Sequence, residues 1–294
     1  MNRATFCKQL DVINFVTWLV NNLPTLPIHL RIPHHPRFVP LKSGINVQVQ
    51  GIQNVIPDLY VWRAKGMKVG DWNETVPFVL ALASNLRATV AASNTAGTLL
   101  ACEDVLRWGG DRNALKGAKP FLVSLGRNLP TYIANVGATL DLAKADLTTF
   151  TPPVLRMNSM LSKIHAFYST DGLPIYDSRV AAAIATLVEM WRQASGNHTR
   201  SIPDLLKFPA TSTSPSRMVT NAFSCAPTPG VLNYAKTNVV VTARQWCGAK
   251  VRLGWLMGSV LDKTQELWPC TTAPQRMRNF EAALFMIGYD VKCL

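Results

Sequence analysis

Apolar residues recur at three- and four-residue spacing along most of the chain, the period of an amphipathic helix. From Val76 to Trp108, Ala, Leu and Val dominate with no proline after Pro77, which predicts two helices or one interrupted helix. The same spacing predicts helices over 118–126, 132–145, 157–169, 179–194, 243–267 and 279–288. Alternation of period two is confined to Val47-Gln48-Val49-Gln50, and a β-branched run to Val239-Val240-Val241-Thr242. Both read as short strands, too few for a sheet-based fold. The expected class is mainly α, a two-lobed helical fold with at most a few short strands.

Breaks in the pattern suggest an organisation in three parts. An N-terminal helical lobe spans 1–150 and contains a connector, Leu23 to Pro40, whose five prolines exclude regular helix. A helix-turn-helix segment at 151–200 carries the candidate chemistry, and a basic helical segment at 201–294 completes the fold. Thr211-Ser212-Thr213-Ser214-Pro215-Ser216 reads as a polar loop. The His34-His35 pair lies in the proline-rich connector and lacks a third ligand, so no metal site is expected.

The most informative pattern runs from Met157 to Trp191. Met157, Met160, Leu161, Ile164, Phe167 and Tyr168 share one face at about 100° per residue, with Lys163 at the edge of that stripe. Asp171-Gly172 ends this helix, and Leu173-Pro174-Ile175-Tyr176 is extended because proline disfavours helix in the residue before it. Asp177-Ser178 starts the next helix. An aspartate at that position accepts backbone N–H groups and sits at the positive end of the helix dipole, which keeps it anionic even beside apolar groups. Phe280, Ala283, Leu284 and Ile287 form a core stripe near the C-terminus, where Glu281 reads as a first-turn acid without a chemical role.

Composition narrows the class. Of 294 residues 48% are apolar and 16% charged, which excludes a mainly disordered chain. Lys and Arg outnumber Asp and Glu by 30 to 17, a net charge of +13, and make a polyanion the first partner to expect. No acidic residue lies between Asp204 and Asp262, a stretch holding Lys207, Arg217, Lys236, Arg244, Lys250 and Arg252, so it can face phosphates without local repulsion. The apolar run Val12 to Val20 is too short for the roughly 20 residues of a membrane span, and no obligate protein partner is evident. Six scattered cysteines without a CxxC pair fit a reducing cytoplasm.

The segments Ser162-Lys163-Ile164-His165-Ala166-Phe167 and Pro174-Ile175-Tyr176-Asp177-Ser178-Arg179-Val180 resemble the helix-hairpin-helix DNA glycosylases. The likeness is to their bacterial 8-oxoguanine DNA glycosylase-like branch, with Trp108-Gly109-Gly110 and Phe280 to Phe285 as further points of similarity. Unlike the superfamily's glycine-rich hairpin, Arg156 to Met160 has no glycine. The resemblance implies DNA as partner and excision of a damaged or modified base from a flipped-out nucleotide, in repair or in defence against modified foreign DNA. It implies Lys163 as nucleophile and Asp177 as electrostatic stabiliser or base, with no cofactor. Trp108, His165, Tyr176, Ser178 and Arg179 are the candidates for contacting DNA or the extruded base, with Trp62 and Trp72 as further aromatic candidates. A non-catalytic DNA-binding protein on the same scaffold remains the alternative, and a nuclease lacks the clustered carboxylates it would need.

Overall fold

A computed structural model describes residues 1–32, 44–110, 118–150, 153–196, 201–209, 239–269 and 272–294. Among them are eleven α-helices and one two-stranded antiparallel sheet, so the protein is mainly helical. The N-terminal helices are α1 (Arg3–Cys7), α2 (Leu10–Asn22) and α3 (Val55–Leu59), with β1 (Pro27–Ile32) and β2 (Ile45–Gln50) between the last two. There follow α4 (Trp72–Ala91), α5 (Thr95–Trp108), α6 (Lys119–Ser124) and α7 (Leu129–Thr139). The remaining four are α8 (Ser159–Tyr168), α9 (Ser178–Ala194), α10 (Val239–Leu261) and α11 (Ala273–Ile287).

Local chemistry explains most of the boundaries. The stretch expected as two helices or one interrupted helix forms two, broken at Ala92-Ser93-Asn94, where Ser93 adopts φ 53° and the Asn94 side chain accepts the Gly97 N–H. Asp71 caps α4 through the Glu74 N–H, and the Glu74 carboxylate accepts the N–H groups of Lys68, Val69 and Gly70 in turn. In α11, Thr272 and Gln275 form a capping box with Pro274 in the first turn, which starts the helix six residues earlier than apolar spacing alone suggested. Between Thr25 and Ile32 the proline-rich sequence forms no helix, and Pro27 opens β1, as proline can at the first position of a strand that has a free edge; Pro33 to Pro40 lie outside the described residues.

The second expected strand is overturned. Val239-Val240-Val241-Thr242 is the first turn of α10 and not a strand. The β-branched preference is weak, and the run continues directly into the long helical sequence that ends at Leu261. His34-His35, Thr211 to Ser216, Arg217 and Lys236 lie outside the described residues.

A single hydrophobic core extends from Phe6 to Cys293. Helix α9 is buried on almost every side, with α2 and α11 against it, and α10 packs on α1, α2 and α11. Helix α8 is enclosed by α4, α5 and α7. The bend between α8 and α9 therefore lies where the N- and C-terminal helices meet. Among the described residues no helix is long and apolar enough to cross a membrane.

The basic stretch is less available than its charge suggested. Lys250 is completely buried, Lys207 pairs with Asp204 at 2.6 Å, and Arg252 donates to the carbonyls of Asp204 and Lys207. Arg244 stays exposed.

Candidate active site

The bend is built from side chain–backbone bonds that its own sequence supplies. The Asn158 carboxamide accepts the N–H groups of Met160 and Leu161 and starts α8. At the other end Ser169 bonds to Asp171, and Asp171 accepts the Leu142 and Leu173 N–H groups. Gly172 turns the chain at φ 82°, where an added Cβ would also lie 2.7 Å from the Met277 Cβ. Asp177, extended at φ −118°, caps α9 by accepting the Arg179 and Val180 N–H groups at 3.0 and 3.2 Å.

This path brings Lys163 and Asp177 together. The Lys163 Nζ donates to Asp177 Oδ2 at 3.2 Å, and the two side chains are only 7% and 10% exposed. Burial opposes ionisation of Asp177, but the charges of Lys163 and Arg179 and the Val180 N–H outweigh it and hold the carboxyl below its ordinary range. The expected fixed anion is thus anchored by both a helix terminus and an ammonium.

Both groups line a cavity of about 60 Å³ walled by Tyr60, Trp62, Trp72, Trp108, Phe167 and Phe285. The Arg179 guanidinium also lines it and lies over three rings, 3.8 Å from the Tyr289 centroid, 4.6 Å from Phe285 and 5.3 Å from Trp62. Such cation–π contact partly replaces the hydration a buried guanidinium loses. Trp62 donates its indole N–H to the Trp108 carbonyl at 2.8 Å, whereas the buried Trp108 indole N–H has no partner among the described residues. Beyond Trp72, Val79, Phe167 and Arg278, which the two spaces share, opens a groove of about 960 Å³.

Gly109 fits against the amine's stem. An added Cβ would stand 2.8 Å from the Lys163 Cδ and 3.0 Å from the Met160 Cε. The Trp108-Gly109-Gly110 sequence therefore contributes one wall ring and the clearance for Lys163. Asp111, Arg112 and Asn113 lie outside the described residues.

Not every predicted site residue reaches the cavity. Lys163, Asp177, Trp108 and Arg179 do, as do Trp62 and Trp72. His165 sits about 200° around α8 from Lys163, is 1% exposed and packs its ring on Tyr132. Burial, with the nearby Lys250 charge, pushes its pKa down to about 3. Tyr176 also misses the cavity. In an extended segment neighbouring side chains point to opposite sides, so Ile175 and Asp177 line the cavity while Tyr176 packs on Trp246 and donates its hydroxyl to the Pro209 carbonyl. Ser178, the first residue of α9, is not in the lining either.

Two groups to which sequence reasoning gave no place at this site are brought to it, Lys250 having been expected to face phosphates. Glu281 lines the cavity, its Oε2 accepting the Ile175 N–H at 3.0 Å and the Arg278 guanidinium at 2.6 Å. Burial raises its pKa despite Arg278 and Lys250. Expected as a first-turn acid, it is instead the ninth residue of α11, because the helix starts at Ala273, and the only sequence signal was an acid beside the apolar stripe, three residues after an arginine. Lys250, behind the bend, donates to the Ser162 carbonyl and hydroxyl and to the Pro174 carbonyl at 2.9, 3.2 and 2.7 Å, and the Ser162 hydroxyl accepts the Tyr176 N–H. It ties the residue before Lys163 to the segment leading into Asp177.

Among the described residues no three His, Cys, Asp or Glu side chains gather as metal ligands. The site offers instead an amine, an anchored carboxylate, a second carboxyl and an aromatic enclosure. Comparison of the chain with protein-family models, curated proteins and solved structures finds no match.

Proposed function

We propose that the protein is a DNA N-glycosylase that removes a damaged or modified base from an extruded nucleotide. The observation that carries this reading is the 3.2 Å approach of Lys163 to Asp177 inside an aromatic-walled cavity. The net charge of +13 supports a polyanionic partner, and the resemblance of the bend to the helix-hairpin-helix glycosylases supports the reaction class. The thiols of Cys7, Cys102, Cys247 and Cys293 are free, which fits a reducing, cytoplasmic setting.

The residues suit the chemistry. As the N-glycosidic bond breaks, the base leaves with the bonding electrons and positive charge builds on the deoxyribose. A carboxylate held as an anion in a low-dielectric site stabilises that charge. Asp177 is too well anchored to be a strong base, so electrostatic stabilisation is its main role. Attack at C1′ by the Lys163 amine, after its ammonium has lost a proton, leads through sugar-ring opening to a Schiff base that can undergo strand cleavage. Attack by water leaves an abasic site only. Either route needs an extruded nucleotide, because C1′ is shielded within the duplex. The cavity of about 60 Å³ is below the ~150 Å³ that admits a benzene ring in another protein, so the aromatic wall must part to admit a base.

Burial of the pair favours a second reading, a structural ion pair that only fixes the bend within a DNA-binding protein. Borohydride trapping and base release on duplexes carrying a panel of damaged and modified bases separate the two. The glycosylase reading expects base release by the wild type and its loss in Asp177→Asn. An adduct that disappears in Lys163→Gln marks the lyase route, and abasic product that persists in Lys163→Gln marks hydrolysis. Base release unaltered by both substitutions would overturn the assignment.

A further inference from the structure

The extended stretch that delivers Asp177 pairs with no strand, so side chains meet its backbone groups instead. Carbonyls two residues apart in such a segment face the same side, and those of Pro174 and Tyr176 face α10. Lys250 donates to the first at 2.7 Å, and Trp246, one helical turn before it, to the second at 2.9 Å. The Tyr176 N–H points the same way, onto the Ser162 hydroxyl, while the Ile175 N–H points to the other side, onto Glu281. The Lys250 Nζ also lies 2.9 Å from the Ser162 carbonyl and 3.2 Å from its hydroxyl. One amine thus joins the residue beside Lys163 to the segment ending at Asp177.

The two states of that amine fit this junction differently. Ser162 and Lys250 have no exposed surface. A neutral amine offers two N–H groups, one for each carbonyl, and a lone pair that accepts the Ser162 hydroxyl proton, so every group is paired. An ammonium has three N–H groups and no lone pair. The Ser162 oxygen must then accept from Lys250 and Tyr176 together, and among the described residues its own proton has no acceptor. A buried donor left unpaired destabilises the arrangement that contains it.

We infer that Lys250 is a positioning residue for base release, keeping Lys163 in register with Asp177 only while its own amine is uncharged. This inference rests on the glycosylase reading and adds a proton switch behind its catalytic pair. The surroundings of the amine agree with it. Burial and the Arg278 guanidinium on α11 oppose its charge, against Glu281 on the same helix and Asp171 in the bend, and its pKa falls to about 7. His165 on α8 and Cys247 on α10 also face it. Both stay neutral near that pH, because burial pushes the first down to about 3 and the second up to about 12.

Single-turnover base release from the panel of damaged- and modified-base duplexes, followed as a function of pH, tests the inference. On a duplex it cleaves, the wild type should slow about tenfold from pH 8 to pH 6, with a midpoint near 7. Lys250→Met should be slower at pH 8, roughly 100-fold for an ångström of displacement, and should lack the drop. Glu281→Gln removes the other buried acid facing the amine, whose pKa burial raises, and should still show the drop. A wild-type rate independent of pH overturns the inference and leaves the glycosylase reading standing. So does a drop that persists in folded Lys250→Met, the mark of a lysine that is structural only, or one that disappears in Glu281→Gln alone. Failure of the wild type to release base from any duplex of the panel overturns the glycosylase reading, and the inference with it. Should Lys250→Met not fold, NMR of Lys163→Gln carrying isotope-labelled lysine decides, since the other amine of the site is then absent. A lysine Cε resonance that titrates with the midpoint of the wild-type rate supports the inference, and none titrating between about pH 6 and pH 8 overturns it.

Discussion

A lysine stem and a glycine without a side chain form a contact that a single added methyl group would disturb. Gly109 has φ −62°, which alanine adopts freely, so Gly109→Ala adds no backbone strain. Its Cβ would nevertheless meet the Lys163 stem at 2.8 Å, and a flexible lysine can yield where backbone cannot. The variant should keep its stability within about 1 kcal/mol. Displacing the amine by about an ångström should slow base release, and any borohydride trapping, roughly 100-fold. Urea unfolding and single-turnover kinetics check the two halves separately. Loss of stability together with activity would show that Gly109 packs the core and does not give clearance to Lys163.

Lys250 works between elements. It holds α8 at Ser162 and the segment before α9 at Pro174 from its place on α10, and burial, reinforced by Arg278, lowers its pKa to about 7. Its unfolded value is near 10.4, so above pH 7 the unfolded chain binds the extra proton. Stability from this group is therefore least below pH 7 and rises as pH increases toward 10. The buried thiols of Cys102, Cys247 and Cys293 are pushed up to about 12 and oppose the trend once unfolded thiols ionise near 8.5. The clean window is consequently pH 7 to about 8.5. Urea midpoints should rise across it in the wild type and lose most of that rise in Lys250→Met, whatever the variant's overall stability. A slope unchanged by the substitution would mean that Lys250 does not titrate there.

The same scale shows what the chain revealed in advance. Apolar period marked α8 and α9 to within two residues, and the Pro174 and Asp177 positions located the bend, because local sterics and capping are written in neighbouring residues. The pairing of Lys163 with Asp177 was expected from the resemblance to the helix-hairpin-helix glycosylases. Glu281 and Lys250 were not, because their partners lie 106 and up to 88 residues away and their roles come from packing between helices. His165 and Tyr176 were legible only as chemical types. Their orientation follows from the helix and strand periods applied one residue at a time.

At the scale of the whole molecule, charge and enclosure act on different steps. Under the proposed DNA-binding function, a net charge of +13 would favour duplex association through phosphate neutralisation and counterion release. Lys250, Arg252 and Lys207 are engaged within the fold, so fewer cations reach the backbone than the total suggests. Duplex affinity should still fall at least about tenfold between 50 and 200 mM salt, as fluorescence anisotropy with an undamaged duplex would measure. Affinity independent of salt would contradict electrostatic association.

The tight aromatic enclosure has a kinetic corollary. A chamber too narrow for a base at rest cannot trap one by simple diffusion, so a freed base in solution should be a poor inhibitor. Under the proposed glycosylase function, the door that admits the nucleotide would also have to let the severed base out. Turnover would then be paced by how often the indole and phenyl rings move aside, and two lesions cleaved equally fast could still leave at different rates according to their bulk.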